Sequence, residues 1–254
     1  TLAGEGLQHM DGHSHVLAAT NHAFVNYDPA YAYEIRHIMA DGLQRMYGDA
    51  DGRDPNVMYY ITVYNEPIHQ PAEPAGLDVE GVVKGIYKLD GHTGSGGPKA
   101  QLLASGVGVP WAREARRLLA EDWGVDAAVW SVTSWSELRR DGLEADEHNF
   151  LHPEAEPRTP FVAERLAGAE GPFVASSDFD KMVPDQIRQW VPGDYHVLRA
   201  ARRWYHIDAE SMVVRTLAAL ASRGQVAPSA VRAAIDKYDL FNCAVPGSDH
   251  AGED

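Results

Sequence analysis

The chain has 254 residues, 44% of them hydrophobic, and a formal net charge of -15 at pH 7. That length can bury one large or two medium α/β cores, and that charge disfavours a phosphate backbone or an anionic lipid face, so no nucleic acid and no membrane are expected as partners. The single cysteine, Cys243, excludes an intrachain disulfide framework and points to a reducing, cytoplasmic compartment, while the start Thr1-Leu2-Ala3-Gly4, with neither signal-peptide character nor an initiator methionine, reads as part of something longer.

The first stretch, from Gly4-Glu5-Gly6-Leu7-Gln8-His9 to Asp11-Gly12-His13-Ser14-His15, sets three histidines and two carboxylates in a glycine-punctuated loop. Residues 31–47 place Ile35, Ile38, Met39, Leu43 and Met46 at helical spacing, with Arg36, Asp41 and Arg45 toward water. The β-branched and aromatic run 57–64 predicts a strand buried on both faces. Pro67, Pro71 and Pro74, then Gly94-Ser95-Gly96-Gly97-Pro98, mark a stiff and then flexible connection, so an interdomain linker is placed at 69–98.

Beyond it strands and helices alternate: strand 99–105, helix 110–123, strand 127–132, helix 136–141, strand 173–176, helix 181–190, strand 195–198. Such alternation implies right-handed crossovers and an α/β fold with a mainly parallel sheet covered by helices on both faces. Two helices finish the chain, the first capped by Ser211 and stopping at Gly224, the second opening on Pro228.

The histidine loop carries the chemistry of interest, because imidazole titrates near neutrality and can move protons at an active-site wall. The competing reading gives the glycines to tight turns and the imidazoles to backbone carbonyls. A zinc site is a third reading, since His13 and His15 in an extended segment would point to one side with Asp11 or His9. Gly106-Val107-Gly108 has the look of a phosphate cradle but lacks the third glycine of the dinucleotide fingerprint and reads as a tight turn. Trp130, Trp135, Phe150 and His152 are candidates for a pocket wall or for plain packing, Arg199, Arg202 and Arg203 form a basic cluster, and Cys243 is left inert.

These stretches resemble, in order, those of the homodimeric bacterial pyruvate dehydrogenase decarboxylating component, a transketolase-like thiamin-diphosphate family. Gly4-Glu5-Gly6-Leu7-Gln8-His9 and Asp11-Gly12-His13-Ser14-His15 carry the likeness, with Tyr27-Asp28-Pro29-Ala30-Tyr31 and Asp41-Gly42-Leu43-Gln44-Arg45-Met46-Tyr47-Gly48. Tyr64-Asn65-Glu66, Lys84-Gly85-Ile86-Tyr87, Ser131-Val132-Thr133-Ser134 and Leu151-His152-Pro153 extend it. The resemblance implies residues 1–68 as the end of a pyrimidine-binding domain and 99–254 as a transketolase carboxyl-terminal-like domain.

It also implies an enzyme that decarboxylates pyruvate oxidatively with thiamin diphosphate and magnesium and passes the acetyl group to the lipoyl group of a dihydrolipoyl acyltransferase, working as a homodimer. The groups that hold the cofactor and magnesium are expected outside this chain, which alone is expected to bind neither and to be inactive. The family's active-site histidine falls on His9, with Gln8, Asp11, His13 and His15 as possible members of its loop. After Tyr195-His196-Val197-Leu198 the family has a glycine-rich loop, whereas here Arg199 follows directly. A non-catalytic dimerisation or assembly module is the alternative reading.

Overall fold

The computed structural model describes residues 11–48, 52–64, 67–198 and 208–240. In chain order these form α1 (Ser14–Ala19), β1 (Phe24–Tyr27), α2 (Ala32–Tyr47), β2 (Met58–Ile61), α3 (Val79–Lys84), β3 (Tyr87–Asp90), β4 (Lys99–Ala104) and α4 (Gly108–Trp123). There follow β5 (Asp126–Ser131), α5 (Trp135–Leu151), α6 (Phe161–Leu166), β6 (Phe173–Ser176), α7 (Met182–Asp185), a 3-10 turn (Arg188–Trp190), β7 (Tyr195–Val197), α8 (Ala209–Ser222) and α9 (Pro228–Lys237).

Strands β1 and β2 make a parallel pair, and the other five form one sheet in the order β3-β5-β4-β6-β7. All its pairings are parallel except that of β3 with β5. The central strand β4 shows why the sequence reads as a near-continuous apolar run. Its Ala100, Leu102 and Ala104 enter one core with Leu119 of α4 and Leu217 of α8, and Leu103 enters the other with Trp130, Trp135 and Phe173. A strand covered on both faces has no polar side to alternate with, and the expected α/β architecture is present.

The first of these cores is not confined to the five-stranded sheet. Val25 and Tyr27 of β1 and Ile38 of α2 belong to the same buried cluster as Leu102, Leu119 and Leu217. The amino-terminal stretch is therefore welded to the larger sheet by apolar contact, a dominant source of association between layers.

Several expectations are corrected. Helix α2 buries Glu34, Ile38, Gly42 and Arg45, while Met39 and Leu43 are 52% and 54% exposed. Its apolar periodicity therefore gives the face only in part: Ile38 is buried and Ile35 and Met46 are half-buried, but Met39 and Leu43 meet water and Arg45, expected there, is buried, because polar anchors help to set the rotation. Strand β2 is half-buried and starts at an exposed Met58, since among the described residues its sheet has two strands.

The stretch 69–98 contains α3 and β3. Asp78 accepts from the Gly81 N–H at 2.9 Å, and left-handed Gly85 ends the helix and turns the chain into β3. The helix expected at 181–190 splits into α7 and the 3-10 turn. The cap of α8 is Asp208, whose carboxylate accepts from the Ser211 N–H at 2.8 Å; Ser211 lies buried inside the helix.

Candidate functional site

His9 and Gln8 lie outside the described residues, as do Arg199, Arg202, Arg203 and Cys243. The first described residue, Asp11, organises the turn into α1. Its Oδ1 accepts from the His13 N–H at 3.1 Å and the Ser14 N–H at 2.9 Å, and its Oδ2 accepts from the Ser14 hydroxyl. Partial burial alone would raise the Asp11 carboxyl, but these bonds outweigh it and hold the group below the usual aspartate value.

Because a helix starts at Ser14, His13 and His15 part company. The His13 side chain is 73% exposed, and His15 is buried at 3%. The extended segment that zinc binding required is absent, and among the described residues no group of three or more His, Cys, Asp or Glu side chains is arranged to hold a metal ion. His15 instead stands edge-on to Tyr60 and Phe179, with ring centroids 5.3 and 4.4 Å away. The Asp180 N–H donates to the Gly12 carbonyl at 2.7 Å, so the loop is tied to the segment after the carboxyl end of β6. That edge of an open α/β sheet is where ligands are commonly met.

Beneath the loop lies Asp28, 1% exposed, which the sequence did not single out. Its Oδ1 accepts from the hydroxyls of Thr62, at 2.7 Å, and Tyr64; its Oδ2 accepts from Ser105 Oγ at 2.6 Å. The His15 Nε2 lies 3.2 Å from Thr62 Oγ1, and Trp135 Nε1 donates to Ser105 Oγ at 3.0 Å. Burial, then the neighbouring Asp28 charge, pushes the Tyr64 phenol well up, keeping it a donor. Burial drives the His15 imidazolium down from 6.5, opposed by the charges of Asp28 and Asp11.

The turn after β4 serves this hub. Gly106 has φ +51° and donates its N–H to the Asp28 carbonyl at 2.9 Å, while the Gly108 N–H donates to the Ser105 carbonyl at 2.9 Å. Both amides are spent inside the protein, so the turn is no phosphate cradle. A Cβ at Gly106 would sit 2.2 Å from the Tyr64 hydroxyl and 2.7 Å from Asp28 Oδ1.

Glu34 makes a second buried node. Its Oε2 accepts from the Ala30 and Tyr31 N–H groups at 2.6 and 2.9 Å, and its Oε1 from Tyr87 and Ser131 hydroxyls at 2.7 and 2.6 Å. Burial raises the Glu34 carboxyl above the usual glutamate value, although all four donors pull the other way. Of the aromatic candidates, Trp130 and Trp135 are core residues, whereas Phe150 is 83% exposed and His152 is on the surface, so the four line no common pocket. A cleft of about 1200 Å³ lies elsewhere, its walls including Tyr27, Arg45, Arg53, Tyr59, Glu137 and Arg140 but not Asp11, His15, Asp28, Thr62, Tyr64 or Ser105.

Carboxylates that read as ordinary helix or turn residues in sequence are thus the organising groups here. The one sequence cue at Asp28 was its place in Tyr27-Asp28-Pro29.

Comparison with known proteins agrees with this architecture. Residues 1–71 match the pyruvate dehydrogenase E1 component middle domain, and residues 85–202 match the transketolase-like C-terminal domain. The chain is 49% identical to a pyruvate dehydrogenase E1 component of Mycolicibacterium smegmatis, over 99% of its own length and 28% of the relative's. The protein of that name from Mycobacterium tuberculosis is 49% identical over 96% of this chain, and that from Escherichia coli K12 is 46% identical over 94%, with 27% and 28% of their lengths covered. The chain therefore spans just over a quarter of the length of these relatives.

Among solved structures, transketolase from Campylobacter jejuni superposes with a TM-score of 0.50 at 16% identity, over 80% of this chain and 27% of that one, a likeness of fold alone. With both family matches in chain order and near-half identity along almost its whole length, the chain belongs to the pyruvate dehydrogenase E1 component family, of which it carries a middle-domain stretch and the transketolase-like carboxyl-terminal domain.

Proposed function

We propose that this chain forms one wall of the active site of a pyruvate dehydrogenase subunit, which decarboxylates pyruvate with thiamin diphosphate and transfers the acetyl group to the lipoyl group of a dihydrolipoyl acyltransferase. The observation that carries this reading is the 49% identity over 99% of the chain to a relative of that name. On the same reading the subunit is a cytoplasmic homodimer, with a division between the pyrimidine-binding stretch and the carboxyl-terminal domain near residue 68. No helix among the described residues is long and apolar enough to cross a membrane.

The described residues do not themselves fit the diphosphate or magnesium. They hold no metal-ligating group of three, and the Gly106 and Gly108 amides of the turn after β4 are spent inside the protein. The residues that hold those groups belong to other parts of the subunit. This chain's own contribution is assigned to His9, as a hydrogen-bond donor to the substrate carboxylate and a proton source when the acetyl group leaves for the lipoyl sulfur. Asp11, His13 and His15 shape the loop that carries it, and Gln8 is its immediate neighbour.

Replacement of His9 by Ala in the full-length subunit tests the assignment. Normal folding with overall acetyl transfer lowered by about 100-fold or more, the usual range for a proton-transferring group, is expected; unchanged turnover removes His9 from the mechanism. Titration calorimetry of the chain alone with magnesium and thiamin diphosphate bears on the alternative of an assembly module, no binding being expected on either reading. Measurable binding there refutes a purely structural role.

A further inference from the structure

The hydrogen bonds around Thr62 settle a question that the histidine loop poses by itself, namely which ring nitrogen of His15 carries hydrogen. The Thr62 hydroxyl has one proton and two neighbours that only accept, Asp28 Oδ1 at 2.7 Å and the Tyr27 carbonyl at 3.3 Å. Its proton goes to them. A lone pair is then what Thr62 offers to His15 Nε2 at 3.2 Å, so that nitrogen must be the donor. In the neutral ring Nδ1 is left as an acceptor. The ring is also wedged edge-on between Tyr60 and Phe179, so rotation does not easily exchange the two nitrogens.

Asp28 is well placed to enforce this arrangement. It is buried, and its other oxygen is held by Ser105 at the end of β4, itself fixed by Trp135 of α5. The Asp28 N–H donates to the Thr133 carbonyl at 2.8 Å, and its carbonyl accepts from Gly106. Backbone and side chain are thus both anchored to the carboxyl ends of β4 and β5.

We propose that Asp28 is a positioning residue that, acting through the Thr62 hydroxyl, holds His15 as the Nε2-protonated tautomer and thereby fixes the register of the histidine loop against the sheet. The consequence for turnover rests on the function proposed above; the tautomer does not. Asp28 touches no substrate in this scheme. It sets which nitrogen of a neighbouring ring is donor and which is acceptor, as outer-shell carboxylates commonly do.

Nitrogen-15 spectroscopy of the histidine rings tests the relay without reference to activity. The parent chain at neutral pH is expected to show a protonated Nε2 and a bare Nδ1 at His15. Thr62→Ser keeps that pattern, and Thr62→Val, which has the same shape but no hydroxyl, yields a mixture of tautomers with unchanged circular dichroism. Asp28→Ala, which leaves Thr62 no side-chain acceptor, gives the same mixture if it folds, and Thr62→Val carries the test if it does not. A protonated Nδ1 in the parent, or an unaltered tautomer in Thr62→Val, overturns the relay.

In the full-length subunit, Thr62→Val is expected to lower kcat by about tenfold with KM nearly unchanged, and Thr62→Ser to restore it. A tautomer shift with undiminished kcat refutes the positioning role and leaves only a structural hydrogen bond. Should His9→Ala also leave turnover intact, it is the proposed function that fails, while the ring spectrum still reports on the relay.

Discussion

Replacing Glu34 by Ala removes one acceptor group from four donors at once. Two of these, the hydroxyls of Tyr87 and Ser131, can turn to other partners, and Tyr87 already lies 3.0 Å from the Tyr33 hydroxyl. The other two, the Ala30 and Tyr31 amides, are fixed by the backbone and have no such freedom. At roughly 1–3 kcal/mol for each stranded buried donor, the loss from the amides is about 2–6 kcal/mol, reduced by no longer burying a carboxyl. A net loss of about 3 kcal/mol is expected in urea unfolding followed by tryptophan fluorescence. Glu34→Gln keeps one acceptor oxygen and the side-chain shape, and is expected to lose about 1 kcal/mol.

The pH dependence has a definite sign. The folded carboxyl is raised above 4.5, so the folded state binds the proton more tightly than the unfolded chain. The stability this confers is fully present below 4.5 and is lost as pH rises through the folded value. Glu34→Gln abolishes that slope. An alanine variant that loses under 1 kcal/mol, or a Gln variant with the parent's slope above pH 4.5, refutes the reasoning.

Gly106→Ala forces a side chain onto a left-handed residue and into the space of the Tyr64 hydroxyl and Asp28, so a loss of at least about 2 kcal/mol is expected in thermal or urea unfolding. Gly142→Ala would set a methyl 2.6 Å from the Trp190 indole, and an overpacking cost of about 1–3 kcal/mol is expected, with altered tryptophan fluorescence as the local signature. The His15 ring is expected to remain neutral in a nitrogen-15 titration at pH 6.5. Since its folded value is depressed, its contribution to stability is present above 6.5 and is lost as pH falls through the folded value, and His15→Gln should flatten that acid limb.

The parts of the fold legible in the sequence are those whose burial is symmetric. Strands β4, β5 and β6 are covered on both faces, so their near-continuous apolar runs give their positions to within a residue or so. Helix α2 shows where pattern falls short. Its presence follows from composition, but its rotation is set in part by Glu34 bonding to β3 and β5, which no apolar count contains. The prolines before residue 75 give the stretch a linker's composition, although Asp78 and Gly85 supply a cap and a left-handed stop for α3. Pro184 lies within α7, and the expected longer helix gives way to a 3-10 turn.

At the candidate site the histidine loop was visible, but its geometry was not. Asp11 turns the chain into a helix after two residues, and that local bond decides that His13 meets water while His15 goes inward. Asp28 is not legible in the sequence, because a carboxylate serving three hydroxyls from distant parts of the chain leaves no characteristic spacing.

The apolar cluster that joins Val25 and Ile38 to Leu102 and Leu217 changes what a cut in the connecting stretch would do. A protease nicking the exposed backbone around residues 72–76 would sever the polypeptide without separating the pieces. The two fragments would co-migrate under native conditions and melt as a single unit, although a denaturing gel resolved two bands.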